Sequence, residues 1–180
     1  MNFHIKKLFN QLYDSEGKLY FGKMSFRRYN PSQDIIIKNF SKEDWEKIFC
    51  DLCEEDLKDL QNCANVEILL WVDTSLDQEK GMIYLEEKNN HPFTIEFHGG
   101  TWDHSHYLYR HIFISLLKLF ELLLSCNYDV ATTCRENDFR IEKLQSQFGF
   151  LEYDRRNGLI LKKLDKNKFF QSKLQILINR

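Results

Sequence analysis

The order of periodicities along this chain predicts an α/β domain: a mixed, mostly antiparallel sheet flanked by helices. Three observations carry that reading. Strand-like runs at residues 66–72, 81–87 and 93–97 follow one another with only short polar connections, the pattern of an antiparallel meander. A nearly continuous apolar helix pattern then runs from about residue 107 to 126, so that helix is covered on most sides. After it come a short strand at 129–134, a helix at 137–148 and a strand at 159–161. Strand–helix–strand after a meander predicts a mixed sheet with helices on both faces.

Residues 1–33 read as an N-terminal extension. Phe3, Leu8, Phe9 and Leu12 line one side of a short amphipathic helix. Asp14-Ser-Glu-Gly17 is a turn, residues 18–29 alternate as a strand or hairpin, and Asn30-Pro31-Ser32 breaks the chain. The main domain spans residues 34–164. It opens with Ile35-Ile-Ile37, a β-branched run, and Ser41-Lys-Glu-Asp44, a helix start with Ser41 as N-cap and acids in the first turn. Trp45, Ile48, Phe49, Leu52, Leu57 and Leu60 continue that helix to about Gln61. Residues 74–80 read as a polar turn, and Lys88-Asn-Asn-His91 as a tight connection before Pro92. On the long helix Ser115, Lys118, Glu121 and Ser125 trace a narrow polar stripe. On the next helix Phe139, Ile141, Leu144 and Phe148 point inward, and Gly149 ends it as a C-cap. The tail, residues 165–180, carries Phe169, Phe170, Leu174, Ile176, Leu177 and Ile178 and is expected to pack on the domain or on a partner.

Composition narrows the function classes. At 180 residues with 43% hydrophobic side chains, the chain can bury a core without staples. Net charge is −2, from 25 basic and 27 acidic residues, and nucleic-acid binding would need a clustered basic excess. The longest apolar stretch, residues 112–124, is too short to span a bilayer and contains Lys118 and Glu121. No secretion signal opens the sequence. The expectation is a soluble cytoplasmic protein with neither a membrane nor a nucleic acid as partner. Five cysteines, an odd number, argue against a disulfide framework. Cys50 and Cys53 form a C-x-x-C inside a helical pattern with no second pair; Cys63, Cys126 and Cys134 are scattered.

Two segments carry a resemblance. "IIIKNFSKEDW" is similar to the opening strand and helix of the GNAT family of N-acetyltransferases, and "ENDFRIEKLQSQFGFLEYDRR" to that family's late helix, which ends in Gly-Phe and runs into a strand. The element order between them matches, so the resemblance covers about residues 34–164. It implies an acyl-CoA N-acyltransferase-like fold, with acetyl-CoA as co-substrate in a V-shaped opening between the strands at 94–97 and 129–134. It also implies that the pyrophosphate rests on backbone N–H groups at the start of the following helix, where unpaired donors and the dipole favour an anion. "HGGTWDHSHYLYR", residues 98–110, occupies that place.

The resemblance breaks there. The family pattern is Arg/Gln-x-x-Gly-x-Gly/Ala, but no glycine lies between Asp103 and Ile112, and Tyr107, Tyr109, Arg110 and His111 stand where small residues are expected. The turn is degenerate. Either Gly99, Gly100 and a shifted loop hold the pyrophosphate, with Arg110 adding charge, or coenzyme A binding is lost. The cofactor-binding set this implies is Phe97, Gly99, Gly100, His104, Ser105, Tyr107, Tyr109, Arg110 and Asn137. Many family members also place a Tyr four residues before the Gly-Phe glycine to protonate the leaving thiolate; here it is Gln145. The family's Asn near the start of that helix aligns with Asp138, beside Asn137.

Amine acetylation needs a base, a polarised carbonyl and an acid for sulfur. Glu96 is the first candidate base, acting through water, against the alternative of an ordinary solvent-facing strand residue. His98 is a second, with an ordinary pKa near ~6.5, or a hydrogen-bonded structural histidine. Tyr128 and Tyr109 are candidate proton donors to sulfur, or packing residues. Trp102 lines an acceptor pocket or covers the core. Cys134 ends a strand beside the expected opening, with no assignable base. His98, Asp103, His104 and His106 lie close in sequence, but no downstream ligand completes a metal site, and no metal is expected. The function implied is transfer of an acetyl group to a small-molecule or peptide primary amine by direct attack. The alternative is an inactive GNAT-like binding or assembly module. The terminal segments are candidates for a homodimer contact.

Overall fold

The computed structural model describes residues 5–32, 34, 54–88, 93–102 and 106–178. The strand expected at 35–37 and the helix start at Ser41 lie outside the described residues, as do Cys50 and Cys53. Among the described residues the strands form an eight-stranded sheet in the order β1-β2-β3-β4-β5-β6-β8-β7. By element these are β1 (Lys18–Phe21), β2 (Met24–Arg28), β3 (Val66–Asp73), β4 (Gln78–Glu87), β5 (Thr94–Thr101), β6 (Asp129–Arg135), β7 (Phe150–Arg156) and β8 (Leu159–Leu164). The helices are α1 (Ile5–Leu12), α2 (Glu54–Gln61), α3 (His106–Ser125), α4 (Phe139–Phe148) and α5 (Lys166–Ile178). This is the mixed, mostly antiparallel sheet with flanking helices. Two compact units divide the chain, residues 1–87 with 98–116, and residues 88–97 with 117–180.

In the first unit β1, β2, β3 and β4 pair antiparallel in sequence order. β3 is buried along its whole length, as a central strand covered on both faces must be. One face packs Ile68, Leu70, Met82 and Tyr84 against Leu57 of α2 and Tyr29. The other carries Trp71, stacked near Phe26 at 5.6 Å between ring centroids, its indole N–H donating to Ser115 Oγ at 2.9 Å. Ser115 is therefore buried. The polar stripe expected on α3 is real at exposed Lys118 and Ser125, whereas Ser115 is a core hydroxyl that satisfies an indole. Glu67 is also fully buried. Arg28 binds it through two bonds, Nε to Oε1 at 2.8 Å and a terminal nitrogen to Oε2 at 3.0 Å. The Tyr13 hydroxyl donates to Oε1 at 2.7 Å, and the guanidinium lies over the Tyr13 ring at 5.3 Å.

In the second unit β5 and β6 run parallel, in register from Thr94↔Asp129 to Phe97↔Thr132. β6 then pairs antiparallel with β8, and β8 with β7. Phe120 of α3 is the aromatic hub, edge-on to Phe97 at 5.1 Å, Phe148 at 5.4 Å and Phe150 at 5.5 Å. Asp138 caps α4, its carboxylate accepting from Ile141 N. Gly149 ends α4 at φ +93°, and a Cβ there would stand 2.7 Å from Phe169 N, so the position needs glycine for both backbone and space.

Several sequence expectations need correction. The turn after β3 spans only residues 74–77, because β4 starts at Gln78. β5 continues through His98-Gly-Gly to Thr101, so that stretch is strand and not turn. β7 follows Gly149 as the resemblance implies, although periodicity does not mark it; α5 is a helix where only a packing tail is expected. On α4, Phe139 is 74% exposed and Ile141 also faces solvent, while Gln145 is buried beside Phe148.

Candidate functional site

Several sequence candidates lie on β5, whose parallel pairing with β6 runs from Thr94↔Asp129 to Phe97↔Thr132. Alternation along β5 puts Ile95 and Phe97 on one side and Glu96 and His98 on the other. Ile95 is fully buried and Phe97 lies against Phe120, which makes theirs the side of α3. Glu96 stands beside Ala131 in the register, and its side chain is 15% exposed. Its Oε2 is ion-paired with Lys88 Nζ, a partner with no sequence signal beyond a lysine in a turn. The His98 ring lies near the Tyr84 ring, 5.7 Å between centroids and tilted by 38°. Trp102 donates its indole N–H to Glu79 O at 3.1 Å and packs at the edge of the core around Tyr84.

Gly99 has a packing role. A Cβ there would lie 2.6 Å from the Met82 carbonyl oxygen and 3.1 Å from Ile83 Cα. Only glycine lets this part of β5 come so near β4.

On the α3 side, the last registered pair is tied by side chains. Thr132 Oγ1 donates to the Phe97 carbonyl at 2.8 Å. Gln145 of α4 donates from Nε2 to Thr133 O at 3.1 Å and to Thr132 Oγ1 at 3.3 Å. Both N–H groups of the amide are thereby spent, and its Oε1 is buried without a hydrogen-bond partner. An unmet buried acceptor costs about 1–3 kcal/mol. Thr132 went unnoticed in the sequence, where a threonine within a strand carries no signal.

The other sequence candidates are scattered. Tyr128 is buried before β6 begins, its ring near Phe93 at 6.2 Å. The parallel register therefore places it at the opposite end of the ladder from Phe97↔Thr132. Asn137 is exposed, and Arg110 is exposed in the first turns of α3. His104 and Ser105 lie outside the described residues, as do the side chains of Tyr107 and Tyr109. Cys134 is buried. Among the described residues no three His, Cys, Asp or Glu side chains gather where they could hold a metal, and no helix is long and apolar enough to cross a membrane.

No protein-family profile and no curated protein matches the chain. Solved structures do. FdhC, a nucleotide-linked sugar GNAT, superposes with TM-score 0.67 at 11% identity, over 89% of this chain and 96% of that one. A GCN5-related N-acetyltransferase from Brucella melitensis gives TM-score 0.63 at 11% identity, over 89% and 84% of the two chains. A spermidine N-acetyltransferase chimera from Vibrio cholerae and hSSAT gives 0.61 at 13% identity, over 83% and 99%. At such identities the likeness concerns the fold.

Proposed function

We infer that this chain, which has the GNAT acyltransferase fold, transfers an acetyl group from acetyl-CoA to a primary amine by direct attack. The observation that carries the reading is the two-sidedness of the parallel pair. Glu96 stands on one face of β5. Phe97, Thr132 and Gln145 are linked on the other. A nucleophile deprotonated on one face and a thiolate left on the other suits a single displacement. The amine nitrogen bonds to the thioester carbon, the C–S bond breaks, and the proton lost by nitrogen ends on sulfur, giving amide and free coenzyme A thiol. Glu96 serves as base through water, and His98, beside Tyr84, is the second proton carrier. The β5 backbone from Glu96 to Gly99 orients the acyl carbonyl. The N-terminus of α3, with Arg110, takes the pyrophosphate. The spermidine enzyme among the structural relatives supports a small amine as acceptor.

A second reading has one observation behind it. Gln145 replaces the phenol, and an amide cannot protonate a thiolate. A GNAT-fold module without catalysis would tolerate that.

Calorimetric titration with acetyl-CoA and 3′-dephospho-CoA separates the two. The enzyme reading expects micromolar binding of acetyl-CoA, and a loss of about 100-fold in kcat for Glu96→Gln and His98→Ala against an amine panel. No heat at millimolar ligand would sink it and leave the module.

A further inference from the structure

The Glu96 carboxylate already holds an amine. Lys88 follows the last residue of β4, and its backbone N–H donates to the Thr94 carbonyl at 3.0 Å. Thr94 and Glu96 share one face of β5, and Glu96 lies about 7 Å further along the strand. The four-carbon stem of Lys88 spans that step and sets Nζ on Glu96 Oε2. Both side chains reach solvent, Lys88 at 37% and Glu96 at 15% exposure, so a dissolved co-substrate can meet them. Lys163 on Asp129 is a pair of the same kind, with Nζ 2.7 Å from Oδ2 and the lysine 50% exposed. Ion pairs this exposed contribute at most about 1 kcal/mol, and fastening the β4–β5 connection would be task enough for one of them. What sets Lys88 apart is its partner, the carboxylate assigned above as the base that deprotonates an amine.

We propose that Lys88 is itself an acceptor: Glu96 presents its ε-amine to acetyl-CoA, and the chain acetylates Lys88 in cis. This rests on the acetyltransferase reading above, which puts the acyl carbonyl on the β5 backbone from Glu96 onward. The ammonium gives one proton to Glu96, which passes it to water. Nζ then bonds to the thioester carbon, the C–S bond breaks, and the second proton lost by nitrogen ends on sulfur. The products are a neutral acetyl-lysine, free coenzyme A thiol and one proton in solution. Base and nucleophile are carried by one short piece of chain, so their encounter needs no diffusion. The modification removes the lysine's charge and with it the ion pair, which releases Glu96 to serve an amine from outside.

The test incubates the protein with isotope-labelled acetyl-CoA and maps the acetyl groups by peptide mass. Expected is labelling of Lys88 about 10-fold faster than of Lys163, although Lys163 is the more exposed. The rate per molecule should stay constant when the protein is diluted at fixed acetyl-CoA. Glu96→Gln should slow labelling of Lys88 by about 100-fold and leave Lys163 as it was. Labelling of Lys88 no faster than of Lys163, or indifferent to Glu96→Gln, means spontaneous acetylation and overturns the proposal. A rate that falls on dilution means transfer between copies and overturns the cis assignment. Should Glu96→Gln not fold, wild type in urea decides: a preference for Lys88 that survives unfolding owes nothing to the site and overturns the proposal, and one that vanishes supports it. Wild type that acetylates a panel of amines but not Lys88 sinks the proposal and leaves the acetyltransferase reading standing. Wild type that binds no acetyl-CoA by calorimetry removes both together.

Discussion

Two buried polar clusters in this protein are built on different rules. Around Glu67 the carboxylate is met inside the protein: it takes two bonds from Arg28 and one from Tyr13, and Asn10 Oδ1 accepts from the guanidinium at 2.8 Å. Around Gln145 every donor closes and one acceptor stays open. In the Glu67 cluster, which ties α1 and β2 to β3, the carboxylate is fully met, and each unmet atom would work against folding. Ser25 Oγ and Gln61 Oε1 in the scaffold are also buried without a partner, so an open acceptor alone does not mark a site. The contrast teaches that burying a polar group and completing its hydrogen bonds are separate properties.

The contrast is most sharply tested at Glu67. Glu67→Ala should lower unfolding free energy by about 2–3 kcal/mol in urea titration. That is below the ~3–5 kcal/mol of a fully buried pair, since Arg28 keeps contact with water. Coenzyme A binding should not change. A loss below 0.5 kcal/mol, on the scale of a surface pair, would show the cluster to be ornamental. Thr132→Val, which strips one donor from Phe97 O and one acceptor from Gln145, should cost about 1–2 kcal/mol and weaken ligand binding as well. The smallest effect belongs to Tyr13. Burial, then the charge and hydrogen bond of Glu67, push its hydroxyl well above the ordinary tyrosine range. The folded state thus holds that proton more tightly than the unfolded chain. Its contribution is complete below about pH 10, the ordinary value, and fades as pH rises further. Tyr13→Phe should cost about 1 kcal/mol at neutral pH and flatten the alkaline fall seen in wild type; an unchanged fall would assign it to other groups.

Much of the scaffold could be read from the sequence because its periodicities are strong. The β3–β4 pair and α3 bury almost everything they carry, and burial writes itself as apolar pattern. β7 is marked by the resemblance alone and not by periodicity, because its side chains after Phe150 are exposed or half-buried and show no alternation of apolar residues. α5 escaped although Asp165 caps it, accepting from Lys168 N at 2.8 Å; its apolar residues are interleaved with lysines. Glycine misled at 99 and 100: two adjacent glycines suggest a turn, but Gly99 serves a close approach between strands. On α4, apolar content suggests that Phe139 faces inward, while the buried residues are Gln145 and Phe148, the latter as expected. The candidate site was legible only in part. Glu96, His98 and Phe97 come from adjacent strand positions that the resemblance marks. Lys88 and Thr132 become partners only through pairing of distant segments, which no local pattern records.

The exposed strand β7 has a consequence for the protein in a crowded cell. It ends the sheet order, and a terminal strand offers unpaired backbone groups to any extended chain that drifts past. This one carries Glu152, Asp154, Arg155 and Arg156 in its last five positions and an irregular register between Glu152 and Asp154. A passing strand would have to match those charges and follow that irregularity. The same residues that hid β7 from an apolar pattern guard the sheet against aggregation.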